Sequence, residues 1–405
     1  MTHGVKIVLG GKTLFKQLRQ AGLGFGLEKI LSSLIPFLAV KLIGVAEFGE
    51  FSFYLSIISV ISIFCILGLD RSIIYFEPTT ENKYISASLV IPFFMSIILG
   101  AAACLFDTNI IYYLPLLVML SVQPVFMSIY KVKGKFKKYY AINIIARQIT
   151  TIALLVILSG IGYSLNKVTI AFTIGFFLAQ GIILLDLRSF ISRIHLSKEL
   201  LSYTLPLLIS SGMVIIITNA DVIMLKFFTS ATNVGIYSIA VKIAAIPSYV
   251  LMIFNMVFAP EIRRKFAERK RQELTEIYKR STRIIALSTI VISLLIIFIL
   301  PHIILFLGVE FNSINIPVII ILIGQIFNGC VGSVWNMLIM TGRNRIYMYS
   351  MISAAIINIV FNMILIPHWG INGAATASVV SMIITNIVGY IFVGKIFKVK
   401  VYGIL

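Results

Sequence analysis

Acidic residues are scarce in this chain: 15 Asp and Glu stand against 34 Lys and Arg in 405 residues. The short loops contain no paired-carboxylate constellation, no G-x-S-x-G elbow and no Walker-type glycine loop, and they leave no room for a catalytic or nucleotide-binding domain. ATP hydrolysis by this chain is therefore excluded and no enzymatic activity is expected. Any uphill work must draw on an ion gradient, a substrate gradient or another protein. Cysteine is limited to Cys65, Cys104 and Cys330, each alone within an apolar run, which implies packing and neither a disulfide nor a thiolate metal site. His3, His195, His302 and His368 are scattered at tails and run ends without ligand spacing, so no metal centre or cofactor is expected. A short apolar core followed by a small-residue cleavage site is also missing from the first 20 residues, which read as a charged tail and not as a removable signal peptide.

Apolar sequence is what the chain has in abundance. Hydrophobic residues make up 59% and mean hydropathy is +1.03. Runs of about 20 apolar residues, long enough to cross a bilayer core, predict an all-α polytopic membrane protein. About twelve spans are expected, near 20–44, 48–70, 84–106, 110–130, 141–163, 168–187, 203–228, 235–258, 284–307, 315–340, 347–367 and 371–394. Nearly all basic residues fall in every second gap: Lys6 to Arg19, Lys131 to Lys138, Arg188 to Lys198, Arg263 to Arg283, Arg343 with Arg345, and Lys395 to Lys400. By the positive-inside rule those gaps and both termini are cytoplasmic, and the net charge of +19 serves topology. A soluble nucleic-acid binder can carry such a charge, but not with this hydropathy; no nucleic acid is expected.

An internal repeat appears at an offset of 186 residues, where Gly49-Glu50-Phe51-Ser52 corresponds to Gly235-Ile236-Tyr237-Ser238. Each motif follows a span ending in a lysine, Lys41 or Lys226. Two pseudo-symmetric six-helix lobes are expected, related by an axis along the membrane normal. The divisions are a cytoplasmic tail at 1–19, an N-lobe at 20–188, a linker at 189–202, a C-lobe at 203–395 and a tail at 396–405. A cleft between two such bundles is the natural place for a substrate.

Polar residues inside the spans describe that cleft. Glu28, Lys29, Arg147, Asp221 and Lys242 lie deep, and an ionisable group facing lipid at mid-depth costs about 2.5–3.5 kcal/mol on insertion scales, so all five should face protein or water. Asp221 and Lys242 sit at matching depth on neighbouring spans and are candidates for a pair. Stripes at helical spacing accompany them: Asn143, Arg147 and Thr151; Ser211, Thr218 and Asp221; Gln325, Asn328 and Asn336; Asn358 with Asn362. Asn143, Gln325, Asn328, Asn358 and Asn362 are accordingly expected to line a hydrated cavity suited to a large polar, anionic cargo. Pro36, Pro115, Pro124 and Pro247 are candidate kinks. Residues 259–283 read as a basic helix lying at the membrane surface, with Ile262, Phe266, Leu274 and Ile277 on one arc and charges elsewhere, held by anionic lipid or else docking a partner.

Several motifs, in this order and spacing, carry a family resemblance. They are Gly44-Val45-Ala46-Glu47-Phe48-Gly49-Glu50-Phe51-Ser52, Leu67-Gly68-Leu69-Asp70-Arg71, Leu205-Pro206-Leu207 with Asp221, Gly235-Ile236-Tyr237-Ser238-Ile239-Ala240, Phe258-Ala259-Pro260, Gly308-Val309-Glu310-Phe311 and Ile366-Pro367-His368-Trp369-Gly370-Ile371-Asn372-Gly373-Ala374-Ala375. The chain resembles polysaccharide (O-antigen, Wzx-type) flippases of the multidrug/oligosaccharidyl-lipid/polysaccharide (MOP) exporter superfamily. That resemblance implies a V-shaped fold shared with the multidrug and toxin extruders (MATE), set in the bacterial cytoplasmic membrane. It further implies alternating access, and an undecaprenyl-diphosphate-linked oligosaccharide as cargo for surface polysaccharide assembly. Membrane lipids and a polymerase or other assembly proteins would be partners. Lys29, Arg147 and Lys242 would meet the diphosphate or an acidic sugar, and Arg71 would guide entry at the inner mouth. Glu28 and Asp221 are candidates for Na+ or H+ coupling, or for counter-ions. Two readings compete: a cation-coupled multidrug antiporter, which wants an acidic, aromatic-rich cavity, and a non-transporting subunit of a glycan assembly complex.

Overall fold

Within a bilayer the backbone must satisfy its own hydrogen bonds, which makes the helix the solution for a long apolar run. The computed structural model describes residues 11–80, 83–159, 165–191, 194–195 and 197–397, and all regular structure among them is helical. The first half contains α1 (Gly11–Ile43), α2 (Val45–Ile66), α3 (Leu69–Thr80), α4 (Ile85–Cys104), α5 (Leu114–Val132), α6 (Phe136–Ile142), α7 (Thr150–Ser159) and α8 (Leu165–Leu187). The second half contains α9 (Lys198–Phe228), α10 (Ala231–Ala244), α11 (Ser248–Ala267), α12 (Arg271–Leu307), α13 (Asn315–Val331), α14 (Val334–Met340) and α15 (Asn344–Phe397). Nine helical stretches among the described residues are long and apolar enough to cross a membrane, or ten if the bent pair α10 and α11 forms one span.

The expected spans fall on these helices, often in pieces. The fifth runs through α6, a π-helical segment Asn143–Ile149, and α7; its expected end at 160–163 lies outside the described residues. Pro247 stands at the break between α10 and α11, which bend by 48°. The last two spans form one 54-residue helical stretch whose backbone departs from helix at Gly370, at φ 52 and ψ −127, a region L-residues avoid. Span 1 is part of the 33-residue α1, which begins at Gly11. Most of the expected tails, 1–10 and 398–405, lies outside the described residues. Helix α9 begins within the expected linker at Lys198, where the Ser197 side chain accepts a hydrogen bond from the Leu200 backbone N–H at 3.1 Å.

The segment 259–283 is not one surface helix. It is the end of α11 and the start of α12, joined by a tight turn in which Arg269 has φ 58. Ile262 and Leu274 are buried in a cluster with Val331, Val334, Met337, Leu338 and Val393. The apolar stripe is thus shared between two helices: Ile262, Leu274 and Ile277 pack against protein while Phe266 stays exposed, and burial in a tertiary core satisfies the same periodicity as burial in lipid.

One apolar cluster joins the two halves, with Phe48, Phe51 and Ile58 of α2 packed with Ile236, Ile239 and Ile243 of α10. The two glycines of the repeated motif meet here. A methyl group at Gly49 would overlap the Ala231 carbonyl oxygen, and one at Gly235 would overlap the Val45 carbonyl oxygen. Each glycine thus lets the partner helix touch its backbone, reciprocally, as a pseudo-two-fold contact requires. Beside the crossing, Lys226 pairs with Glu50 and the rings of Phe53 and Phe227 meet edge-on at 6.0 Å. This contact lies at the end of the bundle opposite the basic connections.

Candidate functional site

Two adjoining cavities open inside the bundle. The first, of about 510 Å³, is lined from the first half by Glu28, Lys29, Ser33, Arg147, Gln148 and Thr151, and from the second by Thr218, Asn219, Ser238, Lys242 and Tyr249. Arg147 is positioned by the π-helical segment. Its i→i+5 hydrogen-bonding widens the turn, and such bulges recur at functional positions. The absence of a side chain at Gly175 lets α8 press on this segment, since a methyl group there would overlap Thr151 Oγ1 and come within 2.9 Å of the Arg147 carbonyl oxygen. The Arg147 guanidinium donates to Glu28 and lies 4.9 Å from the Phe176 ring centroid. Gln148 Nε2 donates to the same carboxylate at 3.3 Å. Glu28 and Arg147 are 6% and 7% exposed, so losing Glu28 would leave a buried guanidinium without a counter-charge.

The other two cations are not neutralised in this way. Lys29 Nζ is 3.6 Å from Glu28 Oε2 and 5.5 Å from the Phe25 ring centroid. Lys242 enters from the opposite half into the open space of the cavity, and no described residue forms an ion pair or hydrogen bond with it. The Ser238 hydroxyl, one turn away, is buried without a partner in the protein. The expected Asp221–Lys242 pair does not form: Asp221 turns to the other side of α9, into the second cavity. The first cavity therefore holds three cations against one carboxylate, more positive than a count that includes Asp221.

Asn143 does not line it. Its side chain bonds back to the Tyr139 carbonyl at 3.0 Å. The stripe is therefore only partly realised: Arg147 and Thr151 line the cavity, Asn143 does not, and Gln148 stands beside Arg147 at Glu28.

The second cavity, of about 580 Å³, lies within the second half and meets the first at Thr218 and Val241, which line both. Gln325, Asn328 and Asn336 line it as expected, joined by Asn255, Trp335, Tyr347 and Asn386. At its wall Asp221 accepts four hydrogen bonds, from Tyr237 Oη at 2.6 Å, Asn362 Nδ2 at 2.7 Å, Asn358 Nδ2 at 3.1 Å and the Ser378 hydroxyl. Asn358 and Asn362 are fully buried and absent from the lining; the stripe faces a carboxylate, not water. Asn362 Oδ1 is buried there without a partner. Among the described residues no cluster of His, Cys, Asp and Glu could hold a metal ion as three or more of them. Arg71 is exposed at the basic end of the bundle, outside both linings, but close enough to Lys131 and Tyr347 for its charge to act on both.

Periodicity alone missed Tyr237, Trp335, Tyr347 and the polar stripe of the last span. That stripe, Ser378, Ser381, Thr385 and Asn386, recurs at three- and four-residue spacing and is open to the same test as the others. Trp335, one of two tryptophans, carries a compositional signal.

Comparison with known proteins adds three findings. Residues 21–266 match the family described as polysaccharide biosynthesis protein, and residues 206–364 match the MatE family. The capsular polysaccharide biosynthesis protein CapF of Staphylococcus aureus is 25% identical over 391 residues, covering 91% of this chain and 97% of CapF. Among solved structures, the lipid II flippase MurJ in an inward closed conformation superposes with a TM-score of 0.73 at 16% identity, covering 92% of this chain and 87% of MurJ. An outward-facing multidrug resistance MATE family transporter of the MOP superfamily superposes at 0.68 and 13% identity, covering 95% and 96%.

Proposed function

The chain belongs to the polysaccharide biosynthesis protein family and has the fold of MOP-superfamily transporters, and from that premise we propose that it flips undecaprenyl-diphosphate-linked oligosaccharides across the bacterial cytoplasmic membrane by alternating access. The observation that carries this reading is the cationic cavity between the halves, where Lys29 and Lys242 approach one space from opposite sides and Lys242 has no anionic partner among the described residues. A diphosphate supplies that anion, and cations in a low-dielectric site bind it through charge-assisted hydrogen bonds. The polyprenyl tail stays in lipid while the polar headgroup crosses, so cargo moves without a bond being broken. With the basic end in the cytoplasm, the glycine crossing lies on the outer side, where it must part for release. Arg71 stands at the entry, and membrane lipids and the polymerase of the same surface glycan are its partners.

The test is lipid analysis of the source bacterium with this gene deleted. Polyprenyl-diphosphate-linked oligosaccharide should accumulate and surface polymer should disappear. Wild type should restore both, and Lys242→Ala, at equal protein level, should not. An unchanged lipid-linked pool together with new sensitivity to cationic dyes would replace this reading with drug export.

Asp221 is the proposed coupling residue. A buried carboxylate ringed by donors, next to the unpartnered Asn362 Oδ1, is suited to exchange a proton or a monovalent cation as the halves move. Flipping into membrane vesicles should respond to an imposed sodium or proton gradient, and Asp221→Asn should remove the response. An Asp221→Asn protein that keeps full gradient dependence excludes the residue from coupling.

A further inference from the structure

The second cavity differs from the first in one decisive respect: no lysine or arginine lines it. Its one carboxylate, Asp221, is already saturated by four donors. What remains is a chamber that sets five primary amides, Asn255, Gln325, Asn328, Asn336 and Asn386, and the rings of Trp335 and Tyr347 among aliphatic side chains such as Ile321, Ile339 and Met382. On the reading above, we propose that this chamber is a subsite for uncharged sugar residues of the cargo, separate from the cationic cavity that takes the diphosphate.

Three observations carry the assignment. First, the amides leave acceptors unused: Gln325 Oε1 and Asn255 Oδ1 are buried with no partner among the described residues. A buried acceptor left unpaired is costly, and a ligand rich in hydroxyl and N–H donors relieves the deficit. Amides offer donors and acceptors together, as Asn386 Nδ2 shows by donating to Asn328 Oδ1 at 3.0 Å, which suits hydroxyl and acetamido groups and gives a carboxylated sugar no counter-charge. Second, Trp335 presents an indole at the wall, its centroid 5.6 Å from that of Tyr347 at 60°. Gly389 makes room for it, since a Cβ there would come within 3.0 Å of the indole. A flat aromatic face receives the C–H face of a pyranose. Third, the chamber meets the cationic cavity at Thr218 and Val241, so a headgroup with a charged end and a neutral end finds two compartments in the matching order. Its volume of about 580 Å³ lies in the ordinary range of small-molecule sites.

The molecule contains its own reporter. It has two tryptophans, and the other, Trp369, is 58% exposed. In Trp369→Phe protein in lipid nanodiscs, Trp335 fluorescence is titrated with a neutral N-acetylated disaccharide, a uronic-acid disaccharide and tetraphenylphosphonium. The neutral disaccharide should give a saturable change, and Gln325→Ala and Asn386→Ala should each raise its midpoint by about tenfold. The uronic-acid sugar should respond more weakly by a similar factor. Lys242→Ala should leave the sugar response in place. No saturable response to the neutral disaccharide, an equal response to the uronic-acid sugar, or a response to tetraphenylphosphonium alone would each overturn the proposal. The wild-type lining is itself titrated, so the result does not depend on either alanine variant folding. Failure here with lipid-linked oligosaccharide still accumulating in the deletion strain removes only the sugar subsite. A sugar response with no such accumulation removes the flippase reading and leaves the subsite.

Discussion

At the scale of single residues, Arg147 and Lys242 carry the same charge and answer to different physics. Arg147 is bound to Glu28 in a buried pair; removing Arg147 leaves Glu28 only Gln148 and the longer contact to Lys29, a loss of at most about 3–5 kcal/mol. Lys242 strands nothing. Arg147→Ala should therefore lower the thermal midpoint and the amount of protein, whereas Glu28→Gln combined with Arg147→Gln should recover much of the stability without restoring full transport. Thermal unfolding of the purified variants, read beside the lipid-linked pool in cells, separates the effects; equal stability of Arg147→Ala and Lys242→Ala would show the pair to be energetically idle. The sequence makes all of these residues legible as deep and shielded from lipid, because the cost of facing lipid is a property of one side chain. It does not reveal their partners. Asn358 and Asn362 follow a perfect i, i+4 stripe whether the stripe faces water or Asp221, and only the neighbouring helix decides between them.

At the scale of elements, the helices are legible because bilayer thickness imposes a length on every apolar run. Their interruptions are less so. The π-helical turn at Asn143–Ile149 has no composition of its own; it is set by the Arg147–Glu28 pair on one side and by α8 pressing in at Gly175 on the other. Gly175→Ala should displace α8, shift Phe176 from the guanidinium and lower stability by about 1–3 kcal/mol, the range for overpacking. Adding Thr151→Ala removes the overlapping hydroxyl and should return part of that loss in a thermal unfolding series. A Gly175→Ala protein with unchanged stability and transport would mean that the turn does not depend on this contact. The segment 259–283 teaches the complementary lesson: its apolar residues fall on two helices, and Leu274, with neighbouring Tyr278, is fully buried against α13, α14 and α15 while Phe266 stays exposed.

At the scale of the whole molecule, a weak repeat in the sequence foretells a contact. Gly49 and Gly235 are paired by their place in the two halves, and in the folded chain they are paired in space. The Lys226–Glu50 pair beside them is partly exposed, and such pairs contribute about 0–1 kcal/mol, so it aligns the closed end without locking it. Cysteines at positions 50 and 226, in a chain freed of Cys65, Cys104 and Cys330, should be joined by a bifunctional methanethiosulfonate. Transport should then stop and return on reduction; continued transport by the joined protein would show that this end need not open. The crossing also bears on the cell's energy supply. A protein with more than 1,000 Å³ of cavity in a membrane under voltage is a short circuit unless some layer excludes every water molecule. Two backbones in direct contact belong to such a layer, with the Lys226–Glu50 pair and the Phe53 and Phe227 rings beside them. The glycines therefore act as electrical insulation, and a crossing held ajar by one methyl group would register as ion leak and depolarisation before it registered as lost polysaccharide.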